Sequence, residues 1–155
     1  MKKRVYFFRY VFIFISLLLL STGCTNKNTN SMTCTRIMNQ NNIKTNLKYY
    51  VEYNDGYVSK VKSVETVESD NSNILNTYKS QIESLYSPYK DIDYYKYNVE
   101  IKDNKLISTV NINYEKVDTD KLIEIDSSNG QLIKNGKIKV DDIKNVYEKL
   151  GATCK

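Results

Sequence analysis

The sequence predicts an α+β domain: an antiparallel sheet of about five strands with two or three helices packed on one face. Three observations lead there. Residues 47–53, 95–101 and 106–114 alternate apolar and polar side chains with period two, as strands buried on one face do. Turn-forming Asn54-Asp55-Gly56 and Asp103-Asn104 fold such runs into hairpins. An amphipathic stretch of helical period separates the two hairpins, so helices and strands are segregated. A chain of 155 residues is long enough for one such domain.

The first strand is expected over Met32 to Gln40. In the second, Leu47, Tyr49, Val51 and Tyr53 alternate with Lys48, Tyr50 and Glu52. The third runs from Tyr57 to Val67. Its valines, Val58, Val61, Val64 and Val67, recur every three residues, a spacing that a helix would also explain. Their β-branching and the preceding turn favour a strand with a bulge that changes the facing side.

A helix follows, capped by Asp70 or Ser72, whose side-chain oxygens accept from free first-turn amides. Ile74, Leu75, Tyr78, Ile82, Leu85, Tyr86 and Tyr89 supply its apolar stripe. Pro88 disfavours helical geometry at Ser87 and ends the helix there. The second hairpin sets Tyr95, Tyr97, Val99 and Ile101 against Leu106, Ser108, Val110, Ile112 and Tyr114. Asp118 caps a short helix over Thr119 to Ile125. Residues 127–136 read as loop, with Asn-Gly at 129–130 and 135–136. Asp141 opens the last helix, Ile143, Val146, Tyr147 and Leu150 form its stripe, and Gly151 closes it as a left-handed cap.

The first 23 residues carry a different signal. Met1-Lys2-Lys3-Arg4 is a positive start, Tyr10 to Leu20 is an apolar run, and Ser21-Thr22-Gly23-Cys24 follows. An apolar run of about a dozen residues suits a signal peptide better than a membrane span, which needs about 20. The competing reading is an uncleaved membrane anchor; the small residues and cysteine that close the run argue against it. Leu20-Ser21-Thr22-Gly23-Cys24 resembles the lipobox of bacterial lipoproteins, with Ser21 where a large aliphatic residue is usual. That resemblance implies a diacylglyceryl group on the Cys24 thiol and cleavage that leaves Cys24 as the first residue. The expected layout is a signal peptide over 1–23, the lipidated cysteine and a polar tether over 24–31, and one domain over 32–155. The expected location is the extracytoplasmic face of the cell membrane, with the bilayer as partner through Cys24.

Cysteine usage agrees with export. Of the three cysteines, Cys24 is reserved for lipid, leaving Cys34 and Cys154 in a disulfide-permissive compartment. A bridge between them is the favoured reading, against two unpaired small hydrophobes. It would pin the end of the last helix to the first strand.

The two hairpins and their helix also carry a family resemblance. A strand, the Asn54-Asp55-Gly56 turn, a strand, an amphipathic helix, a Tyr-rich hairpin, then Ile112-Asn113-Tyr114-Glu115-Lys116-Val117-Asp118 and a closing helix resemble the YehR-like small bacterial lipoproteins, over about residues 45–150. The resemblance implies an α+β fold at the cell surface. It implies no activity, since the family's function is unknown.

Composition excludes much chemistry. Residues 1–23 hold Lys2, Lys3, Arg4 and Arg9 and no acid, whereas from residue 24 onward basic and acidic residues nearly balance. A near-neutral body argues against nucleic acid as partner. The absence of histidine removes Ser-His-Asp and Cys-His catalysis and His-ligated metals. The acid pairs Asp91/Asp93, Asp118/Asp120 and Asp141/Asp142 fall at helix starts and loop edges, where capping explains them. They form no calcium-loop pattern, so no metal and no cofactor is expected.

Tyrosine is the unusual feature. All four phenylalanines lie in the first 14 residues and tryptophan is absent, so the body's aromatic side chains are all tyrosine. They fill the core or form a binding face, and Tyr50 and Tyr94, on the polar sides of their strands, are the candidates for exposure. The expected function is a non-enzymatic module binding an unknown protein or small molecule. The alternative is a small enzyme using carboxylates and tyrosines.

Overall fold

A computed structural model describes residues 29–155. The signal peptide expected over 1–23, the lipidation of Cys24 and tether residues 25–28 lie outside the described residues. Strands β1 (Asn30–Gln40), β2 (Ile43–Asn54) and β3 (Tyr57–Glu68) form a meander. Helix α1 (Ser72–Tyr86) and a 3-10 turn over Ser87–Tyr89 lead into the hairpin of β4 (Tyr95–Lys102) and β5 (Lys105–Asn113). Helices α2 (Thr119–Ile125), α3 (Asn129–Leu132) and α4 (Val140–Lys149) and the two-residue β6 (Thr153–Cys154) complete the fold. The strands make one antiparallel sheet in the order β4-β5-β3-β2-β1-β6.

The class is the expected α+β, but the counts differ: six strands and four α-helices among the described residues, against about five and two or three. The extra strand is the chain's tail, β6, paired to β1. The extra helix, α3, is a single turn inside the segment read as loop, where the Asn129 amide donates to the Leu122 carbonyl at 2.9 Å. β1 starts two residues before Met32, with Asn30 opposite Tyr53.

Turn chemistry sets the meander. Asn41 and Asn42 both take positive φ, 51° and 62°, as do Asp55 and Gly56 at 50° and 78°. Two consecutive left-handed residues make the tight turn whose twist matches flanking strands. The first of these turns lets β2 start at Ile43, earlier than the alternation from Leu47 indicates. In β3, Tyr53 pairs with Val58 but Glu52 pairs with Lys60, so Ser59 is an inserted residue. This bulge puts Val58 and Val61 on one face despite their odd spacing. Val64 falls on the other face and Val67 returns to the first, which resolves the three-residue valine period.

Directly paired residues share a face, and one face is covered by helices. There Val67 and Leu106 receive Leu75 and Ile82 of α1. Farther along the strands, Met32, Cys34, Val51, Val61 and Val110 pack with Leu122, Ile133, Ile138 and Ile143 from the C-terminal helices and loops.

Helix ends follow capping chemistry, with two corrections. Asn71, rather than Asp70 or Ser72, caps α1: its side-chain oxygen accepts from the Asn73 and Ile74 amides at 3.0 and 3.4 Å. Asp141 is not the cap of α4; Lys139 holds that position, and Asp141 and Asp142 sit in the first turn, where the helix dipole favours them. Asp118 caps α2 as expected, accepting from Asp120 and Lys121. Gly151, at φ 87°, ends α4, and the Ala152 amide returns to the Tyr147 carbonyl at 2.9 Å.

Cys34 and Cys154 are joined, with Cα atoms 4.0 Å apart. Thr33 and Lys155 exchange two backbone hydrogen bonds of 2.9 Å beside them, so the cysteines occupy the narrow position of the antiparallel ladder.

Candidate functional site

The second face of the sheet carries no helix in either buried cluster, and its register explains what it presents. One row crosses four strands: Tyr50 on β2 lies opposite Lys62 on β3, Lys62 opposite Asn111 on β5, and Asn111 opposite Lys96 on β4. The next row holds Glu52, Lys60 and Asn113. A groove of about 370 Å³ lies over these rows, with Tyr50 and Tyr94 both lining it. The two residues remain 42% and 49% exposed, so both offer contact area to a ligand.

Tyr94 is reached differently from the sequence expectation. It is not a residue of β4 but immediately precedes it, at φ 66°. A bulky side chain in the left-handed region is an outlier that its surroundings must hold. The Tyr94 carbonyl accepts from the Asn113 amide at 3.0 Å, and the Lys116 ammonium stands 5.3 Å from the ring centre. This backbone turn carries the ring to the groove, whereas Tyr50 arrives by ordinary strand alternation.

Charge is distributed unevenly over the two faces. By register the helix-free face carries Lys44, Lys48, Lys60, Lys62, Lys96, Lys102 and Lys105 against Glu52, Glu68 and Glu100. Lys60 binds Glu52 at 2.9 Å and Lys105 binds Glu68 at 3.2 Å. The hydrogen bond to Glu52 raises the Lys60 pKa. Lys62 and Lys96 have no ion-pair partner among the described residues, and both point into the groove. The near-neutral body therefore hides a basic face. The sequence reading singled out neither lysine nor Asn111; the period-two alternation marks their side of the strand, but only the pairing brings them together.

Most other hairpin tyrosines are core. Tyr49 stacks on Tyr147 with ring centres 4.0 Å apart, Tyr89 on Tyr95 at 4.8 Å, and Tyr86 tilts against Tyr97 at 5.8 Å. Burial raises the phenol pKa of Tyr49, Tyr86, Tyr95 and Tyr147 and pushes Tyr114 up to about 12. Tyr57 is exposed at the strand ends, with the Lys137 ammonium 5.2 Å from its ring centre.

The acids do not assemble. Among the described residues no three metal-ligating side chains come together. Glu65 is the outlier. It lies on the helix-covered face, opposite Leu47 and Ser108, near Tyr49 and Tyr86, with no hydrogen bond or ion pair among the described residues. Burial raises its pKa above 4.5. The folded state thus holds the Glu65 proton more tightly than the unfolded chain does. Its contribution to stability is full below about pH 4.5 and is lost as pH rises through the raised value. Glu65→Gln should therefore stabilise the domain at pH 7 by roughly 1 kcal/mol, the low end for a partnerless polar group because Glu65 keeps part of its surface in water. Urea melts at pH 4 and pH 7 check this: the gain should shrink at pH 4, and an equal gain at both would contradict it.

The profile of a family described as a protein of unknown function (DUF1307) matches residues 32–152. Among solved structures, the NMR structure of the E. coli YehR protein is similar at a TM-score of 0.55 and 19% identity, covering 82% of this chain and 92% of that one. An NMR structure of a protein from Streptococcus pneumoniae TIGR4 is similar at a TM-score of 0.54 and 13% identity, covering 88% and 90%. At these identities the likeness is one of fold. No curated protein matches the chain.

Proposed function

The chain belongs to this DUF1307 family of YehR-like proteins of unknown function, and from that premise we propose that it is a lipid-anchored, non-enzymatic binding module on the extracytoplasmic face of the cell membrane. The observation that carries the binding part is the convergence of Tyr50 and Tyr94 on one open groove with Lys62, Lys96 and Asn111 as its floor. An open groove of a few hundred Å³ with aromatic walls and a few polar groups is the usual form of a small-ligand site. The enzyme reading needs two carboxylates facing one cleft, and the groove's own acid, Glu52, is held by Lys60.

The anchoring part rests on the order of positive, apolar and small residues ending in Gly23-Cys24. The chain from Cys24 to Asn30 spans at most about 20 Å, so the domain would work close to the bilayer. Cys24→Ala should lose the mature-size, detergent-phase protein, since both the acyl chains that anchor it and the cleavage before residue 24 depend on that thiol. Mass spectrometry finding Cys24 unmodified and Met1 intact in the membrane form would overturn it.

The binding part is tested by a fragment screen read on backbone amides. Hits should shift Tyr50, Lys62, Lys96 and Asn111, and hits that shift only residues outside the groove would contradict the assignment.

A further inference from the structure

We propose that the groove's ligand is an acidic saccharide, a sugar chain bearing carboxylate or phosphate groups. This deepens the assignment of the groove as the ligand face and rests on it. Four features argue for that class together. The face is basic while the chain beyond residue 23 is near neutral, so charge has been gathered here. Lys62 and Lys96 flank Asn111 in one cross-strand row, placing one ammonium on either side of an amide. Strand spacing puts those two backbones about 10 Å apart, within reach of one anionic group from two long side chains.

The aromatic walls supply the second half. Tyr50 ends the row on the β2 side, and Tyr94 stands on the β4 side beside Asn113 of the next row. Each presents a flat apolar ring with a hydroxyl tip. A pyranose has the complementary character, with apolar C–H faces and a rim of hydroxyls. The ring stacks on tyrosine, the Asn111 amide bonds hydroxyls, and the lysines take the acid. The groove is open and crosses the strands, so a chain of sugars can enter and leave it.

The mature chain in detergent micelles is titrated with galacturonate hexamer, phosphorylated maltohexaose, neutral maltohexaose and an eight-residue thymidine oligonucleotide. Calorimetry and amide shifts are read together. One or both acidic sugars should bind and shift the groove amides, and the two arms distinguish carboxylate from phosphate as the anionic group. Raising salt should weaken binding, as the ammoniums are exposed. The pair Lys62→Gln and Lys96→Gln should weaken it about tenfold, or about 1.4 kcal/mol. These positions are on the surface, and a thermal melt checks folding. An unchanged Kd in that double variant overturns the proposal, as does an oligonucleotide that binds as tightly as the acidic sugars. If neutral maltohexaose alone shifts the groove, the acidic class fails and the groove stands as a ligand face. Groove amides that move with none of the four probes overturn the acidic class, and the fragment screen then decides the groove itself.

Discussion

Reducing the Cys34–Cys154 bridge is expected to cost the domain about 3–5 kcal/mol and to lower Tm by roughly 10–15 °C. The bridge spans 120 residues, almost the whole described chain. Closing so long a loop removes much freedom from the unfolded chain, and the chain-entropy estimate grows with loop length. The folded side has little to replace it. β6 is two residues long and pairs with β1 only through Cys34–Cys154 and Thr35–Thr153, with Thr33–Lys155 hydrogen bonds beyond. Without the covalent link, that edge and the end of α4 should fray first. Thermal melts with and without reductant, and of the Cys34→Ala/Cys154→Ala double variant, measure the effect. Faster amide exchange at Thr33 and Lys155 should accompany the drop. An unchanged melt after complete reduction would leave the bridge without a structural role.

How far the fold is readable from sequence depends on which interaction decides each feature. The inner faces of β2, β4 and β5 follow from alternation, because a period of two assigns a face without any knowledge of the partner strand. The Cys34–Cys154 pairing follows from elimination once Cys24 is read as the lipid site. What alternation does not carry is pairing register. Tyr50, Lys62, Asn111 and Lys96 form one row only after the Ser59 bulge and the two tight turns have set the offsets. The Asn41-Asn42 turn is present in the sequence as two residues tolerant of positive φ, yet it lacks the glycine that makes Asp55-Gly56 conspicuous. Tyr94 is harder still. Its exposure is the one alternation indicates, but the left-handed backbone held by Asn113 that delivers it is a local conflict between propensity and tertiary structure, which no pattern in the sequence marks. The cap at Asn71 rather than Asp70 or Ser72 is a choice among neighbours with the same chemistry, settled by where the chain leaves Ser69 and Asn104.

Leu106→Ala should destabilise the domain by about 2–5 kcal/mol, the range for emptying a buried leucine site. Leu106 is fully buried, and its cluster is small: Val67, Leu75 and Ile82, with Ile43, Tyr78, Tyr86, Val99 and Ile101 at its margin. Few side chains are available to close the void, and α1 is attached to the sheet chiefly through this cluster. Its loss should therefore raise amide exchange across α1 and at the β4–β5 turn before the rest of the sheet. The contrast with the disulfide makes the prediction specific. Leu106 lies on β5, three strands from Cys34 on β1, or about 14 Å at the usual strand spacing. The two residues belong to separate buried clusters. Among the described residues, Tyr86 of α1 is the one margin residue that packs against both, and perturbations that distant add within about 0.5 kcal/mol unless such a shared side chain couples them. Urea melts of Leu106→Ala, of the reduced protein and of the two combined form the cycle. A combined loss much smaller than the sum would mean that α1 and the β1–β6 edge unfold as one unit, and that the two clusters act as a single core.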